Sequence, residues 1–398
     1  MTRLRYVARL VYGEALPANA RFEGDVPMMG SNGSFAVHSH ANTLGPAVIV
    51  GRKGSFGKVT YSEKPCFCID TAFFVDDRYT NADLRWLFYA LQDLGLDGFT
   101  QDTGVPGLSR EKAYDLGLCH PPRSAQRAIA AFLDRKTAAI DALIQKKERQ
   151  IELLQEKRQA LITQAVTKGL DAKAPMKDSG VSWMGEIPAH WQVSKIRYEA
   201  LTVSKGTTPS TVGREMADQG VRFIKAENVE AEGFVAPLPE FFIDADTDAL
   251  LSRSRLQAED ILVVIAGATT GKTAVLDRSL IPANTNQAVC FVRLKSPPLA
   301  AYLQAWLSSR LIQEQVWLNA VQAAQPNLSM EDIRSFVCPR PPDEEARAII
   351  ATLLQIRDAF HKTTIACERQ ILRLREYREA LISAAVTGKI EIPAEEAA

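Results

Sequence analysis

Apolar residues recur every three or four positions along two long stretches of the chain. Each stretch follows a Pro-Pro pair, at 121–122 and 341–342, and continues without glycine until Gly169 and Gly388. Proline fits the first turn of a helix, whereas glycine commonly follows its end. The pattern therefore predicts two helices of about 45 residues, each roughly 68 Å long at 1.5 Å per residue.

The apolar positions in both stretches alternate in steps of four and three, which is typical of a left-handed coiled coil. Because each stripe is too narrow for a globular core, we expect the two helices to pair antiparallel. Gln150 and Gln370 fall on the predicted seam, where they either fix the register or lie at its edge. The predicted seam positions are Ile129, Leu133, Lys136, Ile140, Leu143, Lys147, Gln150, Leu154, Lys157 and Leu161, then Ile349, Leu353, Ile356, Phe360, Thr363, Cys367, Gln370, Leu374, Tyr377 and Leu381.

The two helical stretches are also copies of one another. Residues 121–171 align without a gap on residues 341–391 at an offset of 220. Thirteen of the twenty positions in 148–167 are identical to those in 368–387. A repeat with so long a period indicates two related globular units joined by two related helices.

Short β-rich runs surround a glycine-containing turn in each globular half. The turns lie at 51–58 and 267–272, and apolar runs flank both of them. We therefore predict an α+β fold with two mixed α/β domains related by pseudo-twofold symmetry and separated by two long antiparallel helices that form a coiled coil. The predicted boundaries are 1–120 and 192–340 for the domains, 121–168 and 341–388 for the helices, 169–191 for the linker and 389–398 for the tail.

Composition indicates a soluble globular protein without a strong charge preference. The chain is 46% hydrophobic and has 47 basic and 47 acidic side chains, and residues 1–120 and 190–340 are each close to neutral. A domain that bound nucleic acid strongly by itself would be basic. Since no run of 18 apolar residues or leader-like N-terminus occurs, we expect a cytoplasmic protein with no membrane partner.

The cysteines and histidines do not follow a metal-binding pattern. Only Cys66 and Cys68 are close together among six cysteines, and His38 and His40 lack a nearby third ligand. Reduced cysteines that act as small apolar residues are the better interpretation. No metal site is therefore expected, and because no Ser/His/Asp order or carboxylate pair stands out, we expect no catalytic residues either.

One motif suggests a phosphate-binding loop. Residues 266–273 read Ala-Gly-Ala-Thr-Thr-Gly-Lys-Thr after an apolar strand. Such a loop requires a helix directly after it, whereas residues 274–276 predict a strand. We favour a strand, turn and strand, and a nucleotide hydrolase using Gly271-Lys272-Thr273 is kept as an alternative.

Ten residues in or beside the predicted turns are candidates for nucleic-acid contacts. Basic, amide and hydroxyl side chains can bind phosphates or base edges, and neighbouring glycines let the backbone approach a ligand. Asparagine beside glycine is also a common turn signal, and a solvated hairpin can carry lysines without a ligand. The candidates are Ser31, Asn32, Arg52, Lys53, Lys58, Lys225, Asn228, Thr269, Thr270 and Lys272.

Together these features resemble the specificity subunit of type I restriction-modification systems. The predicted helices share the ending at 156–162 and 376–382, and residues 176–191 are similar to the segment that leads into a recognition domain in that family. The resemblance covers nearly the whole chain, although the first half lacks such a leading segment and begins at residues matching Lys195 onward. It implies that residues 1–120 and 192–340 are two target-recognition domains.

The resemblance implies DNA recognition without catalysis by this chain. In that family the subunit selects a bipartite double-stranded DNA site, and its helices act as a spacer and dock DNA methyltransferase (modification) subunits, of which we expect two. The complete complex also contains ATP-dependent restriction subunits, and part of the family works with fused nuclease-methylase partners. S-adenosylmethionine, ATP and magnesium would belong to those partners, so we expect no cofactor here. A helical scaffold that does not bind DNA is the other alternative.

Overall fold

The computed structural model describes residues 1–17, 22–98, 107–230, 233–320 and 327–392. The chain divides into two compact units. Unit 1 comprises Met1–Arg149 and Ala366–Ala398, and unit 2 comprises Gln150–Ile365. Because the division falls within both long helices, each unit contains one globular half and a part of each helix.

Unit 1 is built from a four-stranded antiparallel sheet and a three-stranded sheet. The strands are β1 (Thr2–Arg3), β2 (Val11–Tyr12), β3 (Val26–Gly30), β4 (Gly33–His38), β5 (Ala47–Gly51), β6 (Val59–Ser62), β7 (Phe67–Cys68), β8 (Ala72–Asp76) and β9 (Gly117–Leu118). The helices are α1 (Leu84–Asp93), α2 (Arg110–Asp115) and the first part of α3 (Arg123–Lys168). The strand orders are β2-β8-β5-β6 and β4-β3-β7, and β3 runs parallel to β7.

Unit 2 repeats this arrangement. Its strands are β10 (Met176–Asp178), β11 (Glu186–Pro188), β12 (Gln192–Lys195), β13 (Ala200–Lys205), β14 (Val221–Ile224), β15 (Phe242–Ile243), β16 (Ile261–Val264), β17 (Thr273–Val275), β18 (Ala283–Thr285), β19 (Val289–Leu294) and β20 (Val337–Arg340). Its helices are the last part of α3, α4 (Ile196–Glu199), α5 (Ala245–Leu250), α6 (Ala300–Leu307), α7 (Arg310–Ala320), α8 (Met330–Ser335) and the first part of α9 (Asp343–Val386). The orders β13-β19-β16-β17 and β15-β14-β18, with β14 parallel to β18, match those of unit 1.

One interior strand of each four-stranded sheet, β5 in unit 1 and β16 in unit 2, is apolar throughout because both of its faces are covered. In unit 1, Val48 packs with Trp86 of α1, whereas Ile49 packs on the other face with Met29 of the three-stranded sheet. Successive side chains of a strand point to opposite faces, which explains the alternation. Fully burying an apolar side chain of this size stabilises a fold by about 1.5–3 kcal/mol. The unit thus has two apolar clusters, one on each face of its four-stranded sheet.

The same layering holds in unit 2. Val263 of β16 packs with Trp306 of α6, and Leu262 packs on the opposite face with Ile224 of the three-stranded sheet. The two globular halves therefore share one topology and one division of the core, as the sequence repeat predicts.

The two long helices are present and run antiparallel within each unit. α3 has 46 residues and α9 has 44. In unit 1, Asp141 pairs with Arg378 at 3.0 Å and Glu148 pairs with Arg375 at 3.1 Å. Residue numbers therefore rise along α3 where they fall along α9. The predicted α+β fold with two long antiparallel helices is confirmed. None of the helices in the described ranges is long and apolar enough to cross a membrane.

The predicted seam of α3 is wrong at alternate positions. Ile140 is buried as expected, but Lys136 is exposed and the next residue, Thr137, is buried. Leu143 is likewise 47% exposed, whereas Ile144 is 9% exposed. The adjacent apolar pair at 143–144 fits either frame in the sequence, and packing against α9 selects the later residue.

The same shift explains the polar seam positions. In α9, Ile371 is buried, and its neighbour Gln370 is exposed. Gln150 of α3 is exposed as well. Both glutamines therefore lie outside the buried stripe, so the suggestion that they fix the register finds no support.

Candidate nucleic-acid interface

In each unit, the loop that joins an interior strand (β5 or β16) to the edge strand of the sheet (β6 or β17) carries candidate residues, and the two loops are closed by the same hydrogen bonds. In unit 1, Gly51 N donates to Lys58 O and Gly57 N donates to Gly51 O, both at 2.8 Å. In unit 2, Val264 makes the equivalent bonds with Lys272 at 2.9 Å and with Gly271 at 2.8 Å. Lys58 and Lys272 thus occupy corresponding positions at the loop ends.

The start of each loop is also fixed in the same way. Arg52 N donates to Thr71 O at 2.8 Å, and Arg52 O accepts from Leu108 N at 2.9 Å. Ile265 makes the same two bonds: Ile265 N donates to Ala288 O at 2.8 Å, and Ile265 O accepts from Leu328 N at 2.9 Å. Arg52 therefore corresponds to Ile265. The first is partly exposed and basic, whereas the second is apolar and 3% exposed.

In unit 1 a second turn meets this loop. The turn between β3 and β4 contains Ser31 and Asn32, and Lys58 Nζ donates to Asn32 Oδ1 at 2.7 Å and to Asn32 O at 3.1 Å. A Cβ at Gly51 would lie 2.8 Å from the Ser31 carbonyl oxygen, so glycine permits this approach. The structure thus brings together three of the residues predicted from separate parts of the sequence.

Two arginines gather at one aromatic ring beside this loop. The guanidinium carbons of Arg52 and Arg110 lie 5.0 and 4.8 Å from the ring centroid of Tyr12, which is 45% exposed. Lys53, the next loop residue, is exposed and its backbone pairs with Gly107. Sequence reasoning missed Tyr12 and Arg110, because neither lies in a turn and their meeting depends on the pairing of β2 with β8.

The candidates near β14 in unit 2 are held by protein contacts. Lys225 Nζ lies 3.4 Å from the ring centroid of Phe241 and 4.0 Å from a Glu227 carboxylate oxygen. Asn228 is 1% exposed, and its amide accepts from Lys225 N at 3.0 Å and donates to Pro239 O at 2.9 Å. Asn228 therefore stabilises a turn, and the structure offers no support for a DNA contact by its side chain.

The remaining candidates lie in the loop between β16 and β17. Thr269 and Lys272 are partly exposed, but Thr270 is buried and its hydroxyl donates to Gly267 O at 2.7 Å. A strand follows this loop, so the helix N-terminus that a phosphate-binding loop needs is not there. On α7, Gln313 Nε2 donates to the carbonyl of the loop glycine at 271 at 2.9 Å and holds the loop to the fold.

The described parts of the chain contain no group of three or more His, Cys, Asp or Glu residues arranged to hold a metal ion. Burial raises the pKa of the Cys68 thiol above its ordinary range and raises the pKa of Cys290 to about 12. Both side chains are therefore neutral thiols near pH 7, a form that is a poor metal ligand.

Comparison with known proteins places these features in a family. The family model for the type I restriction modification DNA specificity domain matches residues 3–153 and 188–371. The type I restriction enzyme EcoBI specificity subunit of Escherichia coli is 23% identical over 355 residues, which are 86% of this chain and 73% of that protein. The MjaVIII specificity subunit of Methanocaldococcus jannaschii is 24% identical over 323 residues, 78% of this chain and 71% of that protein.

A solved structure shares the fold along the whole chain. It comes from a study of complex assembly and conformational transition in the type I R-M system, and it covers 98% of this chain and 97% of its own. The TM-score is 0.71 at 13% sequence identity. At that identity the likeness establishes the architecture alone.

Proposed function

Because this chain belongs to the family of type I restriction modification DNA specificity domains, we infer that it is the subunit that selects the DNA target of a restriction-modification complex. The observation that carries this inference is the double family match, in which each matched segment covers one globular half. Neither alternative gains support. The loop at 266–273 lacks the helix of a nucleotide hydrolase, and a scaffold without DNA binding would not explain two matched specificity domains.

We propose that the target is bipartite and that each unit recognises one part of it. The two units share a strand order and a loop held by the same backbone bonds, but their loop side chains differ. A common scaffold with different exposed residues is the arrangement expected of two readers with different sequence preferences.

The proposed DNA surface consists of the candidate residues that are exposed or partly exposed. In unit 1 it is centred on the meeting of the two turns, and in unit 2 on the loop between β16 and β17, together with the partly exposed Lys225 that follows β14. Asn228 and Thr270 are excluded because both are buried and hydrogen-bonded within the protein. The proposed residues are Ser31, Asn32, Arg52, Lys53, Lys58, Lys225, Thr269 and Lys272.

We propose that methyltransferase subunits dock on the exposed faces of α3 and α9 and supply the chemistry. Leu143, Leu372 and Tyr377 of unit 1 lie on these helices outside the buried stripe and are about half exposed. Apolar residues that a fold does not bury are typical of protein interfaces. Two modification subunits follow from the duplication, one for each unit, and restriction subunits would join the complete complex. Catalysis and its cofactors belong to these partners.

Methylation mapping after co-expression with candidate methyltransferase subunits tests this function. The chain should direct methylation to a bipartite motif, and replacing residues 190–340 with the corresponding half of a relative should change one half-site only. The unchanged half-site serves as the internal control for folding and assembly. Methylation with no bipartite motif, or a motif unaffected by the exchange, would contradict the proposal.

A further inference from the structure

We propose that loop residues shared by the two units contact DNA phosphates, whereas a loop residue that differs between them contacts a base. Lys58 and Lys272 bind DNA phosphates, whereas Arg52 reads a guanine in the half-target of unit 1. This inference rests on the function proposed above and adds the residue that sets one position of the target.

Lys58 and Lys272 are the cations that both units share at the loop end. Their backbone atoms make the same bond to the end of the preceding interior strand, at 2.8 and 2.9 Å. A contact to the phosphate backbone carries no sequence information and serves any reader, so both units can use it unchanged. The Asn32 oxygens that Lys58 Nζ meets are neutral, so the ammonium group keeps its charge for a phosphate.

Arg52 is not shared. Its counterpart Ile265 has the same backbone bonds but buries its side chain. The scaffold at this position is therefore common to both units, while the side chain that it presents differs in charge, size and exposure. A position that varies on a fixed scaffold is where two readers with different targets are expected to differ.

The surroundings of Arg52 prepare its guanidinium group for a planar acceptor. The group lies 5.0 Å from the Tyr12 ring centroid, and stacking of this kind orders a long side chain before a ligand arrives. Over the ranges that the structure describes, no carboxylate forms an ion pair with Arg52, whereas Arg110 pairs with Glu111 at 3.6 Å. The two guanidinium groups at the Tyr12 ring thus share one carboxylate, and the positive charge of Arg52 is left over.

Guanine offers the matching partner. Its major-groove edge presents two acceptors, O6 and N7, which the two donors of an arginine can meet in a bidentate pair. The electronegative edge of the base would also offset the charge of Arg52. A phosphate would accept from Arg52 too, but that contact would be useful to both units, and unit 2 has a buried isoleucine there.

The test measures the binding of the complete complex, formed with its methyltransferase subunits, to a library of targets varied at each base pair. Arg52→Ala and Arg52→Lys should both lower the preference for one guanine in the unit 1 half-target by about 5- to 150-fold, the range that 1–3 kcal/mol per bidentate pair implies. Lysine keeps the positive charge but lacks the planar pair of donors of a guanidinium group, so it should not restore the preference.

Lys58→Ala and Lys272→Ala are the matched variants. Each should weaken binding to all sequences to a similar extent, leave the motif unchanged and reduce the slope of log K against log salt by about 1. In every Arg52 variant the preference for the unit 2 half-target should persist, which controls for folding and assembly.

Uniform weakening by Arg52→Ala, with binding restored by Arg52→Lys and the motif intact, would assign Arg52 to a phosphate and overturn the inference alone. A half-target for unit 1 without any guanine would overturn it as well. If the wild-type complex shows no bipartite preference at all, the proposed function fails instead.

Discussion

Asp76 at the end of β8 is a buried carboxylate whose charge ties two loops to the sheet. Its Oδ2 accepts from Leu44 N at 2.9 Å and from the Arg78 guanidinium at 2.6 Å. Burial by itself would raise the pKa of Asp76, but the Arg78 side chain and the backbone amides outweigh it and hold the pKa below its ordinary value. The charged form is therefore the one that the fold stabilises.

We expect Asp76→Asn to lower the free energy of unfolding by about 1–3 kcal/mol at pH 7, since buried hydrogen bonds to a charged group are lost. Because the folded pKa is depressed, this contribution is present above the unfolded pKa of about 3.9 and is lost as the pH falls through the folded value. Urea unfolding at pH 7 and pH 3 measures it. The neighbouring exposed Asp77→Asn is the control, and equal losses for Asp76→Asn at both pH values would refute the assignment.

The candidate residues also show what turn chemistry in a sequence can and cannot reveal. Glycine-rich turns correctly located the loop of Arg52 and Lys58, because such turns connect exposed strand ends. The same kind of local signal marked Asn228 as a candidate, yet its side-chain amide oxygen accepts a backbone hydrogen bond that closes a turn inside the protein. Tyr12 and Arg110 gave no local signal, since strand pairing and helix packing bring them together from distant parts of the chain.

At the level of elements, periodicity predicted the existence and length of α3 and α9 but misplaced their buried stripe. Heptad positions are unambiguous where one apolar residue stands between polar ones. At 143–144 two apolar residues are adjacent, and only packing against a partner helix decides between them. The error shifts one of the two buried positions in each heptad by one residue, and the pairing of the two helices is unaffected.

Alanine substitutions distinguish the two stripes. Ile144→Ala should lower the free energy of unfolding by about 2–5 kcal/mol, the usual range for removing a buried aliphatic side chain. Leu143→Ala should cost less than about 0.5 kcal/mol, because the side chain is half exposed and alanine suits a helix. Thermal unfolding followed by circular dichroism makes the comparison. A larger loss for Leu143→Ala would restore the frame derived from the sequence.

For the whole molecule, the internal repeat was the most reliable guide to architecture. It predicted two related globular halves, and both halves show the same strand orders. The details of each sheet did not follow from the sequence, because strands as short as Val11–Tyr12 in β2 and Phe242–Ile243 in β15 carry too little periodicity to be recognised.

The charge balance of the molecule leads to a final prediction about its complex. With 47 basic and 47 acidic side chains the chain has no net charge to attract DNA, and few cations are placed in the proposed surface. Phosphate neutralisation supplies most of the affinity that does not depend on sequence, and it sets the salt dependence. We therefore expect the isolated chain to bind its target weakly, with a shallow slope of log K against log salt.

Addition of methyltransferase subunits should steepen that slope, by about 0.9 for each phosphate that the partners neutralise, while the preferred motif is still set by this chain. Fluorescence anisotropy from 50 to 300 mM salt, on the target and on a scrambled duplex, would separate the two contributions. The specificity ratio should depend on the loops of the two units, and the slope on the partners. Suppose instead that the isolated chain bound its target with the affinity and salt slope of the full complex. This protein would then bind the phosphates without its partners, and the proposal that the partners supply most phosphate contacts would be wrong.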